Sequence, residues 1–339
     1  MAEPVDWQLA AATATRIAPG GPPTSTADAA ATVAQLRELA LAARAPVREV
    51  TRLRAPDGLV AAVVDRPAWI EANTGSMKAM VEPLGRRLPE GKMHAVASRV
   101  NALQVGAMLG WLSTKVLGQF EALPPAGQPA RLLLVAPNIV SAEEELDADP
   151  RDFRMWVCLH EETHRVQFGA NPWLSGYFAD SIGALVTDLD VSPLELARRA
   201  AGGVRAKDDE LPLMAVLQSP EQRELMSRLL GLMSLLEGHA DWVMDNAADD
   251  VVPSSRELRE KFEERRRGSG PLDIILRKVL GLDAKMAQYR EGARFVRIVV
   301  ELIGLDRFNE VWTGPELLPS LHEIREPADW IARVHPDAS

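Results

Sequence analysis

The chain is short of cysteine, tyrosine and surplus positive charge, and each shortage removes a class of answers. Cys158 is the only cysteine in 339 residues, which excludes a disulfide framework and any cysteine-built zinc module. Lysine and arginine together number 38 against 48 aspartates and glutamates, a net charge of −10. That balance argues against the basic face that nucleic-acid binding requires. No apolar run reaches the roughly 18 residues of a membrane span. The first residues, Met1 to Asp6, carry acids where a secretory signal would carry bases followed by an apolar stretch. These absences lead to the expectation of a cytoplasmic protein with no membrane and no nucleic-acid partner.

What is present is a sequence able to bury a large core. Hydrophobic residues make up 47% and charged residues 25%, a balance that excludes global disorder. Loops are marked by Pro and Gly clusters at 19–24, 55–58, 123–129 and 268–271. No internal repeat appears, and no cluster is long enough to be an interdomain linker. Between the loops the apolar period is mostly helical. Ala29, Val33, Leu36 and Leu39 or Ala40 form one stripe, and Val96, Val100, Leu103, Val105, Met108, Leu109 and Leu112 form another. Residues 284–303 read as a further helix. One strand is expected in the aliphatic segment 131–140, where Pro137 suits an edge strand or a bulge. The fold class expected is mainly α with a small β-sheet. Residues 1–90 read as an N-terminal helical segment packed on a metal-binding core at 91–335.

The chemistry concentrates in His160-Glu161-Glu162-Thr163-His164. Residues i and i+4 share a helix face one turn apart. Two imidazoles so placed can bind one Zn²⁺, and the Glu beside the first can take a proton from water. Asp149 is a natural N-cap and Pro150 fits the first helical position, while Gly169 and Pro172 supply stop signals. The motif thus falls about three turns into a helix.

A catalytic zinc takes three protein ligands and leaves one position open. The extended H-E-x-x-H-x-x-G-x-x-H pattern is excluded, because Gln167 and Ala170 stand where its Gly and third His belong. The next candidates lie in Glu237-Gly238-His239-Ala240-Asp241, within a second helical segment opened by Ser219 and Pro220. Glu237 and His239 point about 200° apart on a regular helix, so both cannot reach one metal. Glu237 shares its face with Asp241. The ligand set expected is therefore His160, His164 and Glu237. Asp241 would hydrogen-bond the far nitrogen of His160 or His164.

H-E-x-x-H followed by E-x-x-x-D resembles the gluzincin arrangement of thermolysin-like peptidases. That resemblance implies His160, His164 and Glu237 as zinc ligands, Glu161 as general base and Asp241 as orienter, with an inserted segment around residues 175–215. A resemblance over nearly the whole chain rests on three segments: Glu237 to Asp245, Lys285 to Gly292, and Val311 to Pro319. They are similar to an actinobacterial family of zincin-like zinc-dependent metalloproteases or hydrolases, some members of which are labelled with coenzyme F420 biosynthesis. It implies a zincin-like helical fold with extra N-terminal helices. No residue pattern here speaks for a flavin-like cofactor.

The function expected is a Zn²⁺-dependent metallohydrolase, in the first place a peptidase. The alternatives are a zinc-stabilised binding protein and a hydrolase of a small molecule. An oxyanion needs a donor. Tyr177, Tyr289, His239, His322, Arg290 and Arg294 are the candidates, with Tyr289 and His322 ranked first because they fall in the shared segments. Cys158, two residues before His160, reads as a small buried hydrophobe. His335 reads as part of a frayed tail.

Overall fold

A computed structural model describes residues 3–58, 61–85, 92–125, 127–187, 220–267 and 282–338. They fall into two compact units. One comprises Met1–Pro172 with His239–Gln288, and the other Trp173–Gly238 with Tyr289–Ser339.

The first unit begins with α1 (Trp7–Ile17), α2 (Thr26–Ala42) and α3 (Arg44–Thr51). Strand β1 (Ala61–Val64), α4 (Arg66–Gly85) and α5 (Lys92–Leu112) follow. Next come β2 (Gly118–Phe120), β3 (Leu132–Val135), α6 (Ala136–Glu145) and α7 (Pro150–Ala170). The three strands form one sheet in the order β1-β3-β2. β1 runs parallel to β3, pairing Ala61 with Leu132, and β2 runs antiparallel, pairing Gly118 with Leu134.

The strand expected at 131–140 is shorter and sits differently. It is the central strand, and it ends at Val135. Pro137 lies in the first turn of α6, where a missing N–H is harmless. Both faces of β3 are covered, which is why Leu132–Val135 is aliphatic without alternation. Leu134 joins the core with Leu36, Ile139, Phe153 and Val157. Leu133 and Val135 point the other way, toward Trp69, Ile70 and Leu109. The loop leading into β2 is held by buried Asn138. Its amide nitrogen donates to the carbonyls of Ser113 and Val116, each at 2.7 Å, and its oxygen accepts from Arg66 at 2.7 Å.

The stripe expected on α5 is corrected in part. Val96, Val100 and Leu103 are exposed. Small residues make the contact with α1 instead. Ala102, Gly106 and Gly110 let the two backbones approach, with Gly106 against Ala10 and Thr13. Larger side chains have no room in such a crossing and turn outward.

Helix α7 starts as its sequence requires. The Asp149 carboxylate accepts from the backbone N–H groups of Arg151 and Asp152, each at 3.0 Å. Its first half buries Phe153, Met155, Val157, Cys158 and Leu159. Its second half is also buried, yet polar, so each group there needs a partner. Glu162 and Arg165 supply one another through two bonds of 2.6 Å, and Arg165 also donates to the Pro56 carbonyl at 3.0 Å. That buried fork ties the helix to the loop after α3.

The helix after residue 219, α9 (Pro220–Val251), is continuous and contributes to both units. It begins at Pro220 as expected; Ser219 lies outside the described residues, as does most of the inserted segment expected at 175–215. α10 (Ser255–Arg267) follows in the first unit.

The second unit contains α8 (Trp173–Thr187), the early part of α9 and most of α11 (Leu282–Ile303). The chain closes with α12 (Leu305–Phe308), α13 (Leu321–Arg325) and α14 (Pro327–Val334). Trp312, Trp330, Phe295 and Phe308 are fully buried there. Trp173 and Trp312 meet, the indole N–H of the first donating to the carbonyl of the second at 2.7 Å. The tail is packed, contrary to expectation. His335 is buried, lies within 3.2 Å of the Arg307 carbonyl and meets the Trp330 ring edge-on.

Two of the shared segments touch within this unit. A Cβ built on Gly238 would lie 2.1 Å from the backbone carbonyl carbon of Gly292, and one on Gly292 would lie 2.0 Å from the Ser234 carbonyl oxygen. Glycine is needed at both positions because α9 and α11 cross backbone to backbone. The crossing sits one residue from Glu237 and fixes the turn that carries it.

Candidate metal centre

His160 and His164 project from one face of α7, as their spacing requires. Their Nε2 atoms are 3.2 Å apart, and the rings meet edge-on at 90° with centroids 4.8 Å apart. One ligand atom each from His160, His164 and Glu237 lies within 4.8 Å of the others, and all three side chains are half-buried. Two imidazole nitrogens this close need a proton or a cation between them.

The donor set fits a zinc ion. Zn–N bonds of about 2.0–2.1 Å at tetrahedral angles place two nitrogens about 3.3 Å apart, against 3.2 Å here. Two imidazoles and one carboxylate are also a set of three that leaves a fourth position open.

The far nitrogen of His164 is taken by a residue the sequence reading passed over. Nδ1 of His164 lies 2.9 Å from Oε1 of Gln167, and Nε2 of Gln167 lies 3.0 Å from Nδ1 of His239. Gln167 and His239 are both fully buried. Burial, with a smaller contribution from His164, pulls His239 down to about 3, so its ring is neutral at physiological pH. It stacks on Trp242 with centroids 6.0 Å apart. His239 is thus a buried partner of Gln167 and drops out of the oxyanion candidates. Asp241 is half-buried on α9, one turn beyond Glu237. The signal for Gln167 was available: residue i+3 from His164 shares its helix face.

Glu161 is buried and lies directly beneath strand β2. A Cβ on Gly118 would sit 2.5 Å from both Cγ and Cδ of Glu161 and 2.8 Å from its Oε1. Only glycine leaves room for that carboxylate. Gly118 is the second residue that sequence reasoning missed, because the contact spans the sheet and has no local signature.

Tyr289 and Arg290 belong to α11, with side chains outside the described residues. His322 is 72% exposed on α13, with Nε2 3.0 Å from Asp329. Arg294 is exposed and donates to the Arg325 carbonyl at 2.9 Å. Tyr177 packs edge-on against Trp173. Cys158 is buried as expected. Burial, with Glu161 and Glu162 nearby, pushes its thiol up to about 12, and its sulfur faces the Leu36 carbonyl at 3.9 Å. A thiol so placed stays protonated at physiological pH and packs as a small buried side chain.

A family model described as zincin-like metallopeptidase matches residues 5–331. The chain belongs to the zincin-like metallopeptidase family. A solved structure from Chloroflexus aurantiacus, provisionally described as a hydrolase with a novel fold, is 29% identical and superposes with a TM-score of 0.69. The alignment covers 97% of this chain and 98% of that one. Comparison with curated proteins gives no match. In this zincin-like chain no described helix is long and apolar enough to cross a membrane.

Proposed function

We propose that this zincin-like protein is a zinc-dependent hydrolase, acting in the first place on peptide bonds, with His160, His164 and Glu237 as the metal ligands. The observation that carries the reading is the convergence of those three donors beside a buried Glu161 for which strand β2 makes room at Gly118. A bound zinc ion supplies a Lewis acid that polarises a carbonyl and makes water acidic enough to react near neutral pH.

The protein's own groups then divide the work. Glu161 takes a proton from the attacking water as the new C–O bond forms, and returns it to the leaving nitrogen as the C–N bond breaks. Asp241 is assigned to His160, since Gln167 holds the far nitrogen of His164. For the oxyanion donor we retain Tyr289 ahead of His322. Tyr289 lies one turn before Gly292, whose backbone meets that of Gly238 beside Glu237. His322 is engaged with Asp329.

A zinc that merely ties helices together has no use for a buried acid at position 161, so the hydrolase reading is preferred to the binding-protein one. The test is Glu161→Gln. Zinc content and Tm should match the parent, while turnover of a substrate found in a peptide and ester screen falls by about 10²- to 10⁴-fold. Turnover retained in that variant removes Glu161 from its role. Cleavage of esters alone by the parent moves the substrate to small molecules.

A further inference from the structure

An amide side chain has two chemically different ends, and a second partner decides which end faces which neighbour. Gln167 has a histidine on each side. His239, fully buried, turns Nδ1 to the amide nitrogen at 3.0 Å. In this arrangement the Gln167 N–H₂ group faces His239 and donates, and Nδ1 of His239 accepts. Oε1 is left facing Nδ1 of His164 at 2.9 Å. An amide oxygen only accepts, so His164 must donate its Nδ1–H. A neutral ring carries one N–H, and Nε2 of His164 therefore keeps its lone pair. That atom is the one 3.2 Å from Nε2 of His160.

We propose that Gln167, anchored by His239, is a positioning residue that fixes His164 in its metal-binding tautomer. The inference rests on the reading of His160, His164 and Glu237 as ligands. A carboxylate or a backbone carbonyl commonly fills this place. A side-chain amide holds the same tautomer without adding negative charge, but it can flip end for end. With Nδ1 accepting, His239 favours the orientation seen here, which gives a buried histidine two residues from Glu237 a task other than ligation.

The test uses the full-length protein with zinc as the only added ligand. Nitrogen NMR of the imidazoles in the metal-free parent should find His164 protonated at Nδ1; protonation at Nε2 overturns the inference. Zinc affinity is then measured by chelator competition. Gln167→Leu should weaken binding by about 10- to 100-fold. His239→Phe keeps an aromatic ring against Trp242 but frees the amide, and should weaken binding by about tenfold. Adding Gln167→Glu to His239→Phe should restore affinity, because both carboxylate oxygens accept and neither orientation is wrong. Parent-like affinity in His239→Phe, or no recovery in the double variant, refutes the proposal. A parent that binds no zinc refutes the ligand reading instead, and the nitrogen spectra still judge the tautomer.

Discussion

Replacing Gly118 by alanine perturbs Glu161 without touching a ligand. The new methyl carbon would sit 2.5 Å from Cγ and Cδ of Glu161, where ordinary contact begins at 3.4 Å. Something must therefore move by about 0.9 Å. Strand β2 is poorly placed to yield, since Gly118 pairs with Leu134 of the fully buried central strand and Asn138 pins the preceding loop. The Glu161 side chain has the freer end and should be displaced. A shift near 1 Å in a reacting group costs about 10²-fold in turnover, while overpacking costs stability about 1–3 kcal/mol. The assay pairs turnover on the screened substrate with zinc content and Tm. Gly118→Ala should keep its zinc, lose a few degrees and lose most activity. Full activity with an unshifted Tm would refute the reasoning that β2 holds Glu161 in place.

Further outcomes follow from packing and charge. Gly292→Ala drives a methyl into the Ser234 carbonyl, a backbone atom with nowhere to go, and should destabilise by about 3 kcal/mol in denaturant unfolding. Gly176→Ala on α8 meets nothing within 4 Å and should be neutral or stabilising by about 0.5–1 kcal/mol. Burial raises the Glu323 carboxyl, but hydrogen bonds from Arg333 and Ser320 outweigh it and hold the group below its ordinary 4.5. Its contribution to stability is then present above pH 4.5 and lost as pH falls through the lower folded value. Glu323→Gln should remove about 1–3 kcal/mol near neutral pH and flatten that part of the acid unfolding curve.

The parts of this protein legible in its sequence are those governed by local rules. Asp149 and Pro150 announce the start of α7, and the four-residue spacing of His160 and His164 puts both rings on one face. The 200° separation of Glu237 and His239 is likewise a property of the helix alone. What escaped depends on distant segments. The strand at 132–135 is legible as an aliphatic run, but its central place depends on β1, about 70 residues earlier. Pro137 belongs to the helix after the strand, not to the strand itself. Val96, Val100 and Leu103 have helical period yet face outward, because α5 meets α1 through its small residues. His335 has the sequence of a tail, and its burial comes from the Arg307 carbonyl and the Trp330 ring. In the sequence Gln167 stands only where a longer motif would have glycine, since its meaning needs His239 on another helix.

Metal content tests the central claim most directly. The purified protein and a His160→Ala variant are dialysed against zinc and analysed by mass spectrometry. The account predicts about one zinc per chain in the parent and a large loss in the variant. A parent that takes up no zinc after zinc is supplied, or a variant that keeps it, would contradict a centre built on His160, His164 and Glu237.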